Sequence, residues 1–210
     1  MKKKNFSKLK SLKNFKNEVE ETHLLIHALE TQIIATRQLL NFTKAKDRPG
    51  YDKFKNFLEV SETQEKKLNE LGFIALFANF ECFMFESLKE LLNKYPNAFS
   101  SEKVAKFEDI KDFKKITEVK NYFIDSLAIQ KTYDMETWAN FMKEKFGIVI
   151  FLNKKDLVRF KMLSSLRNLI LHSGGRTNSK FRNEMKKILK TSVPIGQSIH
   201  FDMKKYFAVF

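Results

Sequence analysis

Apolar residues recur at three- and four-residue steps along most of the chain, which is the spacing of one face of an α-helix. Residues 14–46 show this spacing, and the segment Asp47–Gly50 ends the predicted helix because its Pro and Gly cannot continue one. Residues 52–94 predict a second long helix, in which Gly72 marks a potential break. Residues 73–92 are apolar almost all round, which predicts that they form the buried central helix.

Capping and turn residues divide the rest of the chain into shorter helices. Ser, Asp and Asn side chains accept hydrogen bonds from the free N–H groups at a helix start, and Gly takes the left-handed conformation that ends a helix. These signals predict helices from Ser100 or Ser101 to 110, over 112–130, over 135–146 after Asp134, over 154–173 after Asn153, and from Thr177 or Asn178 to 190. Gly147 and the pair Gly174-Gly175 stand where terminal glycines belong.

Two short apolar stretches lack the helical spacing. The stretch Ile148–Leu152 fits either a strand or a buried turn, and Ile199–Phe201 predicts a short strand before a last helix that Asp202 would open. The other elements are helical, so the predicted fold class is all-α: a bundle of four to five core helices with extra short helices. We expect one domain over residues 14–210, preceded by a basic N-terminal arm at 1–13.

The composition agrees with a globular helical protein. Gly occurs 6 times and Pro 3 times, too rarely for the many turns of a β-sandwich or barrel. Cys82, the only cysteine, excludes an intrachain disulfide framework and an all-cysteine metal site. It lies in the apolar helix and is predicted to be an inert buried thiol.

Neither the N-terminus nor the apolar helix has the pattern of a membrane or export segment. The apolar stretch Gly72–Phe85 has about 14 residues, whereas a span needs about 20. The basic start of the chain is not followed by the apolar run of a secretory signal. We therefore expect a cytoplasmic protein without a membrane partner.

The charge indicates a polyanionic partner. Lys and Arg number 39 and Asp and Glu 25, so the formal net charge is +14. Such a surface attracts nucleic acid and supplies sequence-independent affinity. Solubilising lysines, an acidic membrane surface and an acidic protein partner are the alternatives.

The helix over 154–173 has one apolar and one polar face. Successive helical residues turn about 100°, so relative to Arg167 the side chains of Asn168 and His172 lie at about 100° and about 140°. Ser164 and Ser165 fall in the same arc, interrupted mainly by Leu171. The opposite arc carries Met162, Leu163, Leu166, Leu169 and Ile170. The polar arc is either a functional site or a solvated surface.

The polar arc contains the groups needed to cut RNA without a metal. The imidazole of His172 can take the proton from a ribose 2′-OH, whose oxygen then attacks the adjacent phosphate. The guanidinium of Arg167 can bind that phosphate and stabilise its charge, and Asn168 can orient the ring or a substrate oxygen. The reaction needs both a base and an acid, and the polar arc has only one histidine. A symmetric homodimer would supply a second histidine.

Two motifs resemble the HEPN superfamily. The first is an Arg-polar-x-x-x-His pattern near the end of a late helix: Leu166-Arg167-Asn168-Leu169-Ile170-Leu171-His172-Ser173-Gly174-Gly175. The second is similar to the aromatic-Ala-x-aromatic-Glu-x-aromatic run of some prokaryotic HEPN families: Leu76-Phe77-Ala78-Asn79-Phe80-Glu81-Cys82-Phe83. The order of a long buried helix before the Arg/His helix also fits.

The resemblance implies a dimeric HEPN-like bundle with both Arg/His motifs at a shared cleft, and a metal-independent endoribonuclease acting as a toxin or phage-defence effector. Arg167 and His172 would be catalytic with Asn168 supporting them, and Glu81 matches the acidic position of the earlier helix. Ser164, which lies in the polar arc, is a further candidate for a supporting role. Glu81 would either pair with Arg167 or only stabilise the bundle. An antitoxin or defence-system protein would be the partner. Gly174 stands where toxins silenced by a nucleotidyltransferase carry Tyr, which argues against that regulation.

Other hypotheses stay open. The chain can be a catalytically silent HEPN module that binds RNA or a protein, or a structural subunit of a larger complex. His23 and His27 share a helix face as metal ligands do, but no acidic residue completes a known motif, so we predict neither a metal nor another cofactor. The segment Gly174–Thr177 resembles a phosphate-binding turn, although a helix C-cap followed by an N-cap is the simpler interpretation. Arg176 within it is a candidate contact to the RNA backbone.

Overall fold

The computed structural model describes residues 6–42, 51–99 and 106–199. Within these ranges the backbone forms seven α-helices and no strand, which confirms the all-α prediction. The helices are α1 (Lys10–Phe42), α2 (Tyr51–Lys94), α3 (Phe107–Ile110), α4 (Ile116–Thr132), α5 (Met135–Phe146), α6 (Lys154–Ser173) and α7 (Ser179–Leu189). Short 3-10 helices occupy Phe6–Lys8 and Pro96–Ala98.

The starts of α5 and α6 were predicted correctly from their capping residues. Asp134 accepts hydrogen bonds from Glu136 N and Thr137 N at the start of α5, each at 3.0 Å. Asn153 accepts one from Asp156 N at 3.0 Å at the start of α6. These side chains satisfy N–H groups that have no partner inside their helices, so they fix where the helices begin.

Other boundaries differ from the prediction. The helix α1 begins at Lys10 rather than 14, so it includes part of the predicted basic arm. The helix α2 runs without interruption through Gly72, which is buried, so the break predicted there was wrong. The helix expected from Ser100 or Ser101 is described only as α3, since both serines lie outside the described residues.

The stretch Ile148–Leu152 forms neither a strand nor a helix. Gly147 ends α5 with a φ of 71°, and Ile148 N donates to the carbonyl of Met142 at 3.1 Å. This bonding satisfies the terminal carbonyls of α5 and buries Ile148. The strand predicted at Ile199–Phe201 and the helix predicted from Asp202 fall largely or wholly outside the described residues.

The chain divides into two compact units. One contains Met1–Lys16 and Asn79–Ser164, and the other contains Asn17–Ala78 and Ser165–Phe210. We call these the Trp138 unit and the His172 unit. The helices α1, α2 and α6 each contribute residues to both.

An aromatic cluster forms the core of the Trp138 unit. Trp138 is fully buried, with the rings of Phe80 and Phe83 edge-on to it at 6.0 and 6.1 Å. Phe15 of α1 stacks on Phe83 at 4.9 Å. Aromatic pairs at these distances add to the free energy gained by burial.

Within the Trp138 unit, a carboxylate from α2 holds the start of α1. Glu90 accepts hydrogen bonds from Lys10 N, Ser11 N and Ser11 Oγ, each at 3.0 Å. Burial raises the pKa of Glu90, but these hydrogen bonds and the charge of Lys94 outweigh it, so the pKa is lowered overall. Glu90 thus caps a helix distant in sequence.

The core of the His172 unit is built from helix faces. Its buried apolar side chains include Ile26 of α1, Phe73, Leu76 and Phe77 of α2, Leu166, Leu169 and Ile170 of α6, and Phe181 and Met185 of α7. The three residues from α6 belong to the arc that the sequence assigns to the interior. Except for Ser165, the polar arc of that helix is therefore left outside the core.

Residues 73–92 of α2 were predicted to be buried on all sides, and this was wrong. Five residues at helical spacing form an exposed stripe: Leu71, Ala78, Glu81, Cys82 and Glu86. Cys82 is therefore an exposed thiol rather than a buried one. An apolar composition did not indicate that one side of the helix faces solvent.

Part of α2 also has the length and apolar composition to cross a membrane. This part is Thr63–Lys94, and half of its most apolar window is buried inside the protein. The core helix of a soluble protein meets the same criterion, so one such helix is weak evidence for a membrane span. The prediction of a cytoplasmic protein without a membrane partner stays a prediction.

Candidate functional site

The polar arc of α6 lies at the surface of the chain. His172 and Leu171 are exposed, and Arg167, Asn168 and Ser164 are half-buried. Within this helix the side chains therefore follow the predicted division into two faces.

Ser165 is an exception, since it is only 8% exposed. It was placed in the polar arc, but at about 160° from Arg167 it lies at the edge next to the apolar arc. An edge position is buried or exposed according to the neighbouring helix, which helical periodicity does not reveal.

Arg167 contacts both its own helix and α2. Its Nη1 donates a hydrogen bond to Asn168 Oδ1 at 3.0 Å. Its Cζ lies 5.6 Å from the centroid of the Phe77 ring, within the range of a cation–π interaction. The guanidinium is thereby positioned at the border between the core and the surface.

Asn168 lies between Arg167 and His172 on the polar arc of α6. Asn168 and His172 are four residues apart, so their side chains are neighbours on the helix surface. Because the Asn168 oxygen accepts from Arg167, its amide nitrogen carries the donors that remain for a ligand. The grouping of these three residues into one site stays a prediction, and the sequence does not reveal the direct Arg167–Asn168 bond.

His172 stands in the last turn of α6, two residues before the double glycine cap Gly174-Gly175. Gly174 N donates to Ile170 O at 3.1 Å and Gly175 N donates to Leu169 O at 3.3 Å. Both glycines have positive φ, at 55° and 74°. The imidazole therefore lies at the C-terminal end of α6, next to the connection that leads to α7.

The residues from Gly174 to Asn178 form the C-cap of α6 followed by the N-cap of α7, as the simpler interpretation of this segment predicted. Asn178 Oδ1 accepts from Phe181 N at 2.8 Å to start α7, and Asn178 Nδ2 donates to Ser173 Oγ at 2.7 Å. The two helices are joined by few residues and are tied together through Asn178.

Arg176 is exposed on a short backbone pairing. It forms an isolated antiparallel bridge with Ser198, beside hydrogen bonds from Thr177 N to Gln197 O at 2.8 Å and from Ile199 N to Gly175 O at 3.0 Å. This pairing fixes the backbone of the candidate RNA contact.

Sequence analysis missed Glu70 of α2. It is 3% exposed and is the only charged side chain among the buried residues of the described chain. Lys67 Nζ lies 2.6 Å from its Oε2 and Lys66 Nζ 3.9 Å from its Oε1. A Cβ on Gly175 would lie 3.4 Å from Oε1. The i, i+3 and i, i+4 spacing of the lysines is the one signal in the sequence.

Glu70 also supports the loop that carries Arg176. Lys66 Nζ donates to Ser198 Oγ at 2.6 Å, so it links α2 to the residue paired with Arg176. Glu70 and Phe77 are seven residues apart on one face of α2, and they approach Gly175 and Arg167 respectively. The two helices therefore run antiparallel along this part of the site.

Two predicted supporting residues belong to the Trp138 unit. Glu81 is exposed, which corrects the expectation of a buried carboxylate. Ser164 is half-buried near the middle of α6. Their support of Arg167 and His172, including a pairing of Glu81 with Arg167, stays a prediction.

His23 and His27 are both exposed on α1, with ring centroids 6.3 Å apart. His27 Nδ1 lies 3.0 Å from Thr31 Oγ1. Within the described ranges, no group of three or more His, Cys, Asp and Glu residues could hold a metal ion.

Comparisons with protein-family models, with curated proteins and with solved structures find no match for this chain. The resemblance to the HEPN superfamily therefore rests on the two motifs and on the helix order alone.

Proposed function

We propose that the chain is a HEPN-like, metal-independent endoribonuclease. The observation that carries this proposal is the exposed His172 at the end of α6, beside the hydrogen-bonded Arg167–Asn168 pair. The net charge of +14 supports RNA as the substrate.

Each residue of the polar arc has a role in this reaction. His172 takes the proton from the ribose 2′-OH, and the freed oxygen attacks the adjacent phosphorus while the 5′-oxygen leaves. Arg167 binds the phosphate and stabilises its developing charge. Asn168 holds the guanidinium through its oxygen and offers its amide N–H groups to the substrate.

A homodimer would complete this chemistry. Arg167 and His172 are separated by about 140° around α6 and about 7.5 Å along it. One imidazole also cannot act as base and acid at the same time. Two copies of the motif at one cleft would supply a second histidine to protonate the leaving oxygen.

We infer a cytoplasmic toxin or anti-phage effector as the biological role, with an antitoxin or defence-system protein as its partner. This follows from the resemblance to HEPN families. Arg176 is proposed to contact the RNA backbone, since it is exposed on a backbone-paired loop near the end of α6.

The test is RNA cleavage in EDTA by the wild type and by His172→Ala and Arg167→Ala. Arg159→Ala is the matched control, because Arg159 lies on the same helix and its Nη1 is 4.0 Å from Asp156 Oδ1. We expect both site variants to lose at least about 100-fold in rate, the usual size of an acid–base contribution, and the control to keep its rate. If the site variants cut as fast as the wild type, the proposed function is wrong.

A second candidate is a catalytically silent module that binds RNA or a protein partner. The contact of Arg167 with Phe77 favours it, because that guanidinium also takes part in packing. This candidate predicts salt-sensitive RNA binding by the wild type and no cleavage products.

A further inference from the structure

The exposed side of the helix α7 is mostly basic. Phe181 and Met185 are 6% and 2% exposed and attach the helix to the core of the His172 unit. The exposed cations of α7, of the loop before it and of its C-cap are Arg176, Lys180, Arg182, Lys186, Lys187 and Lys190. We call these six residues the α7 basic face.

The positive charge of this face is not neutralised by the described part of the chain. Elsewhere lysines form ion pairs, for example Lys67 with Glu70 and Lys89 with Asp125. None of the six cations of the α7 basic face has an acidic group of the described residues within 4.0 Å. Glu184, the single acidic residue of α7, is half-buried and lies one turn from Lys180.

Accumulating these charges costs stability. Arg182 and Lys186 are four residues apart, as are Lys186 and Lys190, and like charges at this spacing repel. An external anion would remove this repulsion. The α7 basic face is therefore a surface whose charge complements a polyanion.

The burial of the apolar side of α7 indicates which polyanion fits. A basic amphipathic helix binds a membrane by inserting its apolar side among the lipids. Here Phe181 and Met185 are already committed to the protein core. Apart from Leu189, which is 42% exposed at the end of the helix, the exposed side of α7 offers cations and polar groups, which suits the phosphates of a nucleic acid.

We propose that the α7 basic face is the docking surface for the phosphate backbone of single-stranded RNA. The capped connection through Gly174 and Gly175 leads from His172 directly to Arg176, the first residue of this face. A strand held along α7 is thereby guided to the end of α6. A single strand is favoured because attack by the 2′-OH needs a backbone free to rotate. The proposal of RNA as the ligand rests on the proposed function.

The test measures the binding of a short, fluorescein-labelled single-stranded RNA and of the DNA of the same sequence, which lacks the 2′-OH and so binds without being cut. The variant is Arg182→Gln/Lys186→Gln/Lys187→Gln in the full chain. Each phosphate contact contributes about −0.7 to the slope of log affinity against log salt for single strands, so the slope of the triple variant should be about 2 units less steep.

The matched control replaces three exposed lysines of the Trp138 unit: Lys143→Gln/Lys145→Gln/Lys154→Gln. It changes the net charge equally, so it separates a local surface from the overall charge. We expect its salt slope to match the wild type. If both triple variants bind the RNA equally, the docking proposal is wrong. It is also wrong if the two variants differ only in their binding to vesicles rich in anionic lipid.

Cleavage is measured separately on the same proteins. Binding that depends on the α7 basic face, without cleavage by the wild type, would uphold the docking surface and contradict the nuclease. Cleavage lost in His172→Ala and unchanged in the α7 variant, with equal binding, would do the reverse.

Discussion

The guanidinium of Arg167 lies over the ring of Phe77, with Cζ 5.6 Å from the ring centroid. Phe77 belongs to the core of the His172 unit, so a residue proposed to bind phosphate also takes part in packing. The contact with Phe77 fixes the position of the guanidinium along α6, and it connects the proposed chemistry to the stability of the unit.

Arg167→Ala should therefore lower the free energy of unfolding as well as the cleavage rate. Losing the cation–π contact costs about 0.5–1 kcal/mol, and losing the hydrogen bond to Asn168 costs about 1 kcal/mol. Urea unfolding followed by far-ultraviolet circular dichroism, which reports the helices of both units, measures the effect. His172→Ala, at an exposed position, should stay within about 0.5 kcal/mol of the wild type. Equal stability of both variants would contradict the packing role of Arg167.

The ion pairs of the buried Glu70 predict how stability changes when the carboxylate or its lysines lose their charge. Glu70→Gln leaves a neutral acceptor for Lys67, which is partly exposed and can regain water. Lys66→Gln/Lys67→Gln instead leaves a buried carboxylate without a cation and should cost about 1–3 kcal/mol more. Adding Glu70→Gln to the double lysine variant should restore much of this loss. A simple addition of the separate effects would show that the three groups do not interact.

The sequence predicted best those elements whose ends depend on local chemistry. The bounds of α5 and α6 follow from Asp134, Asn153 and Gly147, because caps act within one turn. The two faces of α6 followed from its periodicity. The burial of Glu70 and its approach to Gly175 could not be predicted, since both depend on which helices become neighbours.

The exposure of Cys82 could not be predicted either, because it also depends on which helices become neighbours. An apolar helix was expected to bury it, but the stripe that carries it faces solvent. We predict that the native protein reacts fully with a thiol reagent such as Ellman's reagent, without denaturant. Cys82→Ser should abolish the reaction and change stability by less than about 0.5 kcal/mol. A thiol that reacts only in urea would contradict the exposed position.

Two helix caps predict how stability depends on pH. Burial raises the pKa of Asp134, but hydrogen bonds from the Thr137 side chain and from the N–H groups of Thr137 and Glu136, with the charge of Lys161, outweigh it and lower the pKa overall. The pKa of Glu90 is lowered in the same way by Ser11 and Lys10. A carboxylate whose pKa is lowered by folding stabilises the native state above its unfolded pKa of about 4, and this contribution is lost as the pH falls through the folded pKa.

The wild type should therefore lose stability as the pH falls below about 4, and Glu90→Gln/Asp134→Asn should lose less over the same interval. Asn is an equally good N-cap, so Asp134→Asn removes the titration without removing the cap. Thr137→Val keeps the carboxylate but removes the hydroxyl donor, so it should give a pH dependence between those of the two proteins. Urea midpoints from pH 3 to 7, read from Trp138 fluorescence, measure all three. Parallel curves would mean that neither carboxylate is stabilised by folding, and the two caps would then contribute through geometry alone.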